Sequence, residues 1–181
     1  MTINTLTPTA RRRRDENPVH QLLYRSRSRD GASSALQMSD ILAEARRANP
    51  RDGVTGVLTV VSGMFVQLVE GPEAALARLL ERLLRDPRHS DLVILERRTA
   101  PVRMFGDWDM VSPRLAAGDL ALLALLLDDD RAGIDAYGRV MAHAVATQER
   151  ILEGRAGAIH RASDARPGPA AVWPPGLEPE V

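Results

Sequence analysis

The sequence predicts an α+β fold in which two helices cover one face of a β-sheet. Its centre is a pair of apolar stretches: residues 54–61 are mostly β-branched, and residues 64–69 alternate between the two faces of a strand. Ser62 and Gly63, which lie between them, are a two-residue turn signal. We therefore expect a β-hairpin whose first strand is buried on both faces.

One strand and one helix are predicted before this hairpin. Residues 20–26 have the alternation of a strand, with Tyr24 on one of its faces. Residues 39–48 should form a helix, since they begin with a serine typical of an N-cap and carry apolar residues along one side. Pro50 disfavours the helical conformation at Asn49, so we expect the helix to end there.

One helix and two strands are predicted after the hairpin. The helix follows Pro72, with leucines on one face and charged residues on the other. Residues 92–95 begin a fourth strand, and residues 103–111 predict a fifth. This order is that of a ferredoxin-like βαββαββ sandwich with one extra strand. We expect a five-stranded mixed sheet, two helices on one face, and parallel pairing of the first and third strands.

Two further helices and two tails complete the predicted organisation. Residues 116–127 are almost wholly apolar, and residues 134–152 carry an apolar stripe, so both helices should cover the open face of the sheet, a second copy or a partner. Residues 11–14 are a run of four arginines in a segment with little to bury. The predicted segments are a disordered tail (1–18), the α+β domain (19–112), a helical extension (113–153) and a second disordered tail (154–181).

The composition excludes several kinds of site and partner. The 181 residues include no cysteine, which excludes disulfides, thiolate metal sites and iron–sulfur clusters, and we expect no metal. The formal net charge is zero, which argues against a nucleic-acid partner. No apolar run reaches ~18 residues, and the N-terminus lacks the apolar segment of a secretory signal. We therefore expect a cytoplasmic protein without a membrane role.

Gln67 is the unusual residue of the central hairpin. Its amide lies in the middle of an apolar strand, between Val66 and Leu68. A buried amide without a partner costs about 1–3 kcal/mol, so Gln67 should bind either the protein itself or a polar ligand, and this strand alone leaves both alternatives open. If Tyr24 and Gln67 both face the helices, their side chains can touch.

Five short motifs together resemble the BLUF family, blue-light sensors that use FAD, in its short single-domain type. They occur in order between about residue 20 and residue 112, each on the expected element. The resemblance implies non-covalent binding of FAD in a slot between the two helices. The motifs are Tyr24 on strand one, Asn49 at the exit of helix one, residues 65–72 on strand three, residues 86–89 after helix two, and residues 108–110 on strand five.

The resemblance also implies roles for individual residues. Tyr24 would donate an electron and a proton to the excited flavin, and Gln67 would lie between them and rearrange its amide. Asn49 would hold the polar edge of the flavin ring. Trp108 or Met110 would pass the change to the rest of the protein. The residues implied near the flavin are Tyr24, Ile41, Leu42, Asn49, Gln67, Leu79, Leu83, Arg88 and His89.

The function that follows is that of a photoreceptor and not an enzyme. It would signal through a separate, unidentified protein and form a homodimer or a higher homo-oligomer. The alternative is a non-photoactive ferredoxin-like protein-interaction module, which would explain the C-terminal helices but not Gln67. An RNA-binding module would need aromatic residues on the sheet face, where Phe65 is nearly alone. An acylphosphatase-like enzyme would need a phosphate-binding loop after strand one, and residues 26–34 lack a convincing one.

Overall fold

Four strands and four helices make up the residues that the structure describes. The structure is a computed structural model, and it describes residues 18–29, 35–106 and 110–164, with the side chains of 35–37 and 155–164 left out. Residues 1–17 and 165–181, which the sequence predicts to be tails, lie outside the described residues. The elements are β1 (Val19–Ser28), α1 (Ala35–Asp52), β2 (Thr55–Val61), β3 (Met64–Gly71), α2 (Glu73–Arg85), β4 (His89–Ala100), α3 (Ala117–Leu127) and α4 (Ile134–Asp164).

The sheet has the strand order β2-β3-β1-β4, and every neighbouring pair is antiparallel. The predicted parallel pairing of the first and third strands is therefore wrong. The crossover through α1 brings β2 back in the direction of β1, and the tight hairpin then reverses β3, which inserts between them. The predicted neighbourhood of Tyr24 and Gln67 is nevertheless confirmed, since the two residues are directly paired across β1 and β3.

The central hairpin is as predicted. Ser62 and Gly63 both have positive φ, 51° and 75°, which is the conformation of a type I′ turn. Val61 and Met64 close the pair of strands on either side of the turn. β2 is buried along nearly its whole length, because helices cover both faces of the sheet at this point.

The predicted fifth strand is reduced to one contact in the part of the chain that is described. Val111 forms an isolated parallel bridge with Val57, and its N–H donates to the carbonyl of Gly56 over 3.1 Å. Residues 104 and 105 form bends and residue 106 a turn. Residues 107–109, which include Trp108, lie outside the described residues.

Helix α1 is longer than predicted at both ends. It begins at Ala35, so Ser39 is not its N-cap, and it continues through Pro50 to Asp52. Gly53, with φ +64°, ends it: the N–H of Val54 donates to the carbonyl of Asn49 over 2.9 Å, and the N–H of Gly53 to that of Pro50 over 3.3 Å. This is a Schellman motif, in which Gly53 adopts the positive φ that the motif requires.

Two apolar clusters lie on opposite faces of the sheet. Leu22, Tyr24 and Phe65 belong to the cluster beneath α1 and α2. The other face is covered by α3 and by α4 up to Gln148, so the predicted covering of the open face is confirmed for these residues. The helical side chains buried there are Leu123, Ile134, Tyr137, Met141 and Val145.

The C-terminal helix extends further than the sequence predicts. α4 continues to Asp164, past the predicted end of the helical extension at residue 153. Residues 149–181 are a separate unit, and its described part, residues 149–164, is helical throughout. Within the described residues, every helix is too short or too polar to span a lipid bilayer.

Candidate functional site

A cavity of about 540 Å³ lies between α1 and α2. Its apolar lining comes from Ile41, Ala45 and Ala48 on α1 and from Leu79 and Leu83 on α2. The volume is within the ~300–1,000 Å³ that is usual for small-molecule sites. The predicted slot between the two helices is therefore present, although Leu42 packs in the core cluster below it and does not line it.

Three buried polar side chains reach the cavity from three different elements. Asn49 comes from the last turn of α1, Gln67 from the middle of β3, and His89 from the first residue of β4. They are 2%, 5% and 6% exposed. Together they give an apolar cavity a polar edge with both donors and acceptors.

Gln67 joins the cavity to two residues behind it. The Tyr24 hydroxyl donates a short hydrogen bond to Gln67 Oε1, and Gln67 Nε2 donates to Met110 Sδ over 3.2 Å. Tyr24 is wholly buried and does not line the cavity, so its connection with a molecule there passes through Gln67. The protein alternative for Gln67 therefore holds, since its amide bonds to two protein side chains, and the same amide also faces the cavity.

Tyr24 keeps its proton in the ground state. Burial raises the pKa of its phenol far above the ordinary value near 10, and the negative charge of Asp86 raises it further. The only hydrogen-bond acceptor recorded for its hydroxyl among the described residues is the Gln67 amide. Gln67 Oε1 is therefore positioned to accept a proton that leaves Tyr24.

His89 carries an unpaired nitrogen next to the cavity. Its Nδ1 lies 2.8 Å from Ser26 Oγ, and its ring packs against Phe65 with 4.8 Å between centroids. His89 Nε2 is buried without a hydrogen-bond partner in the described part of the chain. Burial lowers the pKa of His89 and thereby favours the neutral imidazole, while the charge of Asp86 opposes that effect. An orphaned polar atom of this kind fits a bound polar group.

Arg88 is held in an ion-pair cluster at the edge of the cavity. Its Nη2 lies 2.5 Å from Asp86 Oδ2 and 2.8 Å from Glu44 Oε2, so it ties the turn after α2 to α1. Hydrogen bonding to Asp86 raises the pKa of Arg88. Partial burial of Asp86 would raise the pKa of its carboxyl, but the bonds from Arg88 lower it overall. Arg88 thus lines the cavity as predicted, with its charge already compensated by two carboxylates.

The remaining predicted site residues are Met110 and Trp108. Met110 is buried, and its carbonyl accepts a hydrogen bond from Arg46 Nε over 3.2 Å, in addition to its sulfur contact with Gln67. Trp108 lies outside the described residues. The sequence does not lead us to expect Glu44 and Ala45 in the lining, although their helical spacing from Ile41 places them on the same face of α1.

The family described as "BLUF: Sensors of blue-light using FAD" matches residues 19–111, which is just over half of the chain. The chain belongs to the BLUF family. The matched segment runs from the start of β1 to the Val111 bridge and includes every residue that lines the cavity. The BLUF cofactor, FAD, fits the cavity, because its ring needs apolar walls and its carbonyl edge needs partners such as Asn49, Gln67 and the free nitrogen of His89.

Curated relatives share the domain but are much longer proteins. The photoactivated adenylate cyclase subunit beta of Euglena gracilis is 36% identical over 80 residues, which are 44% of this chain and 9% of that protein. The blue light- and temperature-regulated antirepressor BluF of Escherichia coli (strain K12) is 36% identical over 85 residues, which are 47% of this chain and 21% of that protein. This chain therefore spans only a small part of these relatives.

A solved structure supports the same assignment. The dark-state structure of BlrB, a BLUF protein, is 32% identical in sequence and has a TM-score of 0.58. The similarity covers 70% of this chain and 96% of the BlrB chain. The similarity therefore extends over nearly the whole of a protein that is itself described as a BLUF protein.

Proposed function

We propose that this BLUF protein detects blue light through the Tyr24–Gln67–Met110 chain at the edge of the cavity. That chain is the observation on which the proposal rests, because it connects the wall of the cavity to two buried side chains through one rotatable amide. FAD would lie between α1 and α2, with its flat ring against Ile41, Leu79 and Leu83. Asn49, Gln67 and His89 would bind its polar edge.

The photochemical role of each residue follows from its bonds. Bound FAD supplies a ring that absorbs blue light and, once excited, accepts an electron. Loss of an electron makes the otherwise weakly acidic Tyr24 phenol a strong acid, and Gln67 Oε1 already accepts its hydrogen bond. A protonated Gln67 amide can turn or change tautomer before the proton and the electron return to Tyr24. No bond between heavy atoms is then made or broken, while the hydrogen bond from Gln67 to Met110 is altered.

The output is a small shift in population. Gain or loss of one hydrogen bond contributes about 0.5–1.5 kcal/mol, which can bias an element close to balance but cannot unfold a domain. We infer that the chain acts as a sensor, not an enzyme, and that it works in the cytoplasm as a homo-oligomer through a separate protein. The names of its relatives describe an adenylate cyclase and an antirepressor, so one sensor domain accompanies different outputs.

The proposal also extends to the fold around the site. The antiparallel order β2-β3-β1-β4 together with the parallel bridge at Val111 supports a mixed sheet of ferredoxin-like type, with a short fifth strand beside β2. This fifth strand would begin after Met110 and would carry the change at Gln67 along the edge of β2.

The test uses the full chain with added FAD. The wild type should bind flavin without a covalent bond and show a small, reversible red shift of the flavin bands under blue light. Tyr24→Phe should bind flavin without the shift, because the ring remains while the transferable proton is lost. Gln67→Leu should also bind without the shift. A protein that takes up no flavin would refute the proposal, and a normal shift in Tyr24→Phe would refute the role of Tyr24.

A further inference from the structure

Glu70 is a buried carboxylate on the face of the sheet opposite to Gln67. It lies three residues further along β3, and alternation along a strand places its side chain on the side of α3 and α4. The residue is wholly buried. A buried charge without compensation is expensive, so its partners identify what it stabilises.

The partners of Glu70 include the backbone of the loop that leads to Met110. Glu70 Oε1 accepts the N–H of Met104 over 2.7 Å, and Oε2 accepts the N–H of Phe105 over 2.7 Å. Arg103 Nη1 donates to the carbonyl of Glu70 over 3.0 Å. Consecutive N–H groups of a β-strand point to opposite sides, so a carboxylate that accepts both of these N–H groups is incompatible with a regular strand at residues 104 and 105.

The same carboxylate is connected to the first turn of α4. Gln21 Nε2 donates to Glu70 Oε1 over 2.6 Å, and Arg98 Nε donates to Gln21 Oε1 over 2.6 Å. Arg98 Nη2 then lies 2.8 Å from Asp135 Oδ1 in α4. A second contact runs beside this path, since the N–H of Ile134 donates to Glu96 Oε2 over 2.6 Å. Side chains from β3, β1 and β4 therefore form one continuous polar path.

We propose that Glu70, Gln21 and Arg98 are positioning residues that couple the loop of residues 103–106 to the first turn of α4. The inference rests on the proposed function, because it assigns a route to the light response of Gln67. A displacement of β3 at Gln67 moves Glu70 on the same strand, and Glu70 holds the loop on one side and Gln21 on the other. Each contact in the path includes at least one charged group, so each bond is directional and stronger than a bond between neutral groups. The bonds of such a network also strengthen one another.

The decisive comparison is between Arg98→Met and Arg97→Met in the full chain with bound FAD. Arg98 is 29% exposed and is part of the path, whereas the neighbouring Arg97 is exposed, lies on the opposite face of β4 and takes no part in it. Both changes remove one positive charge and keep a long side chain. Amide exchange measured by mass spectrometry, in the dark and under blue light, reports residues 101–106 and 134–145 separately.

The expected result is a selective loss of the response in α4. The wild type and Arg97→Met should change exchange in both segments on illumination. Arg98→Met should keep the flavin shift and the change in residues 101–106, and it should lose at least half of the light-induced difference in residues 134–145. Asp135→Asn, which alters an exposed side chain at the end of the path, should reproduce this pattern. Glu70→Gln should lose the response in both segments.

Other outcomes overturn the coupling in distinguishable ways. A full α4 response in both Arg98→Met and Asp135→Asn would show that the signal does not pass along this path. A wild type with a normal flavin shift and equal exchange of α4 in dark and light would overturn the inference and leave the photochemical proposal standing. Failure of the wild type to bind flavin would overturn both. The two surface variants keep the test informative even if Glu70→Gln does not fold.

Discussion

Replacement of Met110 by leucine tests whether the sulfur contact of Gln67 belongs to the dark state. Leucine has a similar volume, so packing around this buried position should change little. The change removes the acceptor of the 3.2 Å hydrogen bond from Gln67 Nε2. If this bond exists only before the amide rearranges, its loss destabilises the dark state relative to the lit state.

The size of the effect follows from the strength of that bond. A net hydrogen bond contributes about 0.5–1.5 kcal/mol, and a thioether is a weak acceptor, so the lower part of this range applies. If the bond is already formed in the transition state for recovery, its loss raises that barrier by about 0.5–1 kcal/mol and makes the return to the dark state about two- to fivefold slower. The free energy of unfolding in the dark should fall by a similar amount.

The assay is the decay of the red-shifted flavin band after a pulse of blue light. Met104→Leu is the matched control, because the Met104 side chain approaches Gly138 on the other face of the sheet. That variant should recover at the wild-type rate. If Met110→Leu recovers as fast as the wild type, or faster, while Met104→Leu recovers at the wild-type rate, the sulfur of Met110 does not stabilise the dark-state orientation of the Gln67 amide. The role assigned to Met110 is then wrong.

Two further predictions concern stability. The pKa of His89 in the folded chain lies below the value near 6.5 expected in the unfolded chain, so the unfolded chain binds more protons and the protein should lose stability as pH falls below about 6.5. Chemical denaturation at several pH values measures this loss, and His89→Gln should make the free energy of unfolding depend less on pH in that range. Gly56→Ala should destabilise the fold by about 1–3 kcal/mol or more, because the added Cβ would lie 2.3 Å from the backbone oxygen of Leu68. Gly154→Ala is the matched control, since its added Cβ meets no atom within 4 Å and the change should stabilise α4 by about 0.5–1 kcal/mol. An unchanged melting temperature in Gly56→Ala would contradict this packing.

The parts of the fold that the sequence predicts well depend on local patterns of a few residues. The I′ turn requires positive φ at two consecutive residues, here Ser62 and Gly63, and glycine and small polar residues adopt that conformation most readily. The sequence predicts an end of α1 that is too early because Pro50 disfavours the helical conformation at Asn49, whereas the helix ends at Gly53, a residue type common just after a helix. The predicted parallel direction of β3 is wrong because the crossover through α1 makes β2 run in the direction of β1, and the hairpin then reverses β3.

The site was predictable to the extent that its residues share an element or a strand pair. The contact between Tyr24 and Gln67 follows from their register, and the wall of Ile41, Leu79 and Leu83 follows from helical spacing. The hydrogen bonds from the N–H groups of Met104 and Phe105 to Glu70 join residues that are 34 and 35 positions apart, and no sequence periodicity predicts them. Those bonds are also why the predicted fifth strand begins as a loop.

Strand β3 contributes side chains to both faces of the sheet. Gln67 faces the cavity, while Leu68 beside it belongs to the apolar cluster of α3 and α4. A Cβ added to Gly138 of α4 would lie 3.5 Å from the Leu68 side chain, so helix and strand approach closely at this point. A tilt of β3 that changes the bonds of Gln67 would also displace Leu68 toward α4, because close-packed interiors transmit strain. This geometry favours the C-terminal helices as the output surface over the cluster around Arg88, whose charge is already paired with Asp86 and Glu44.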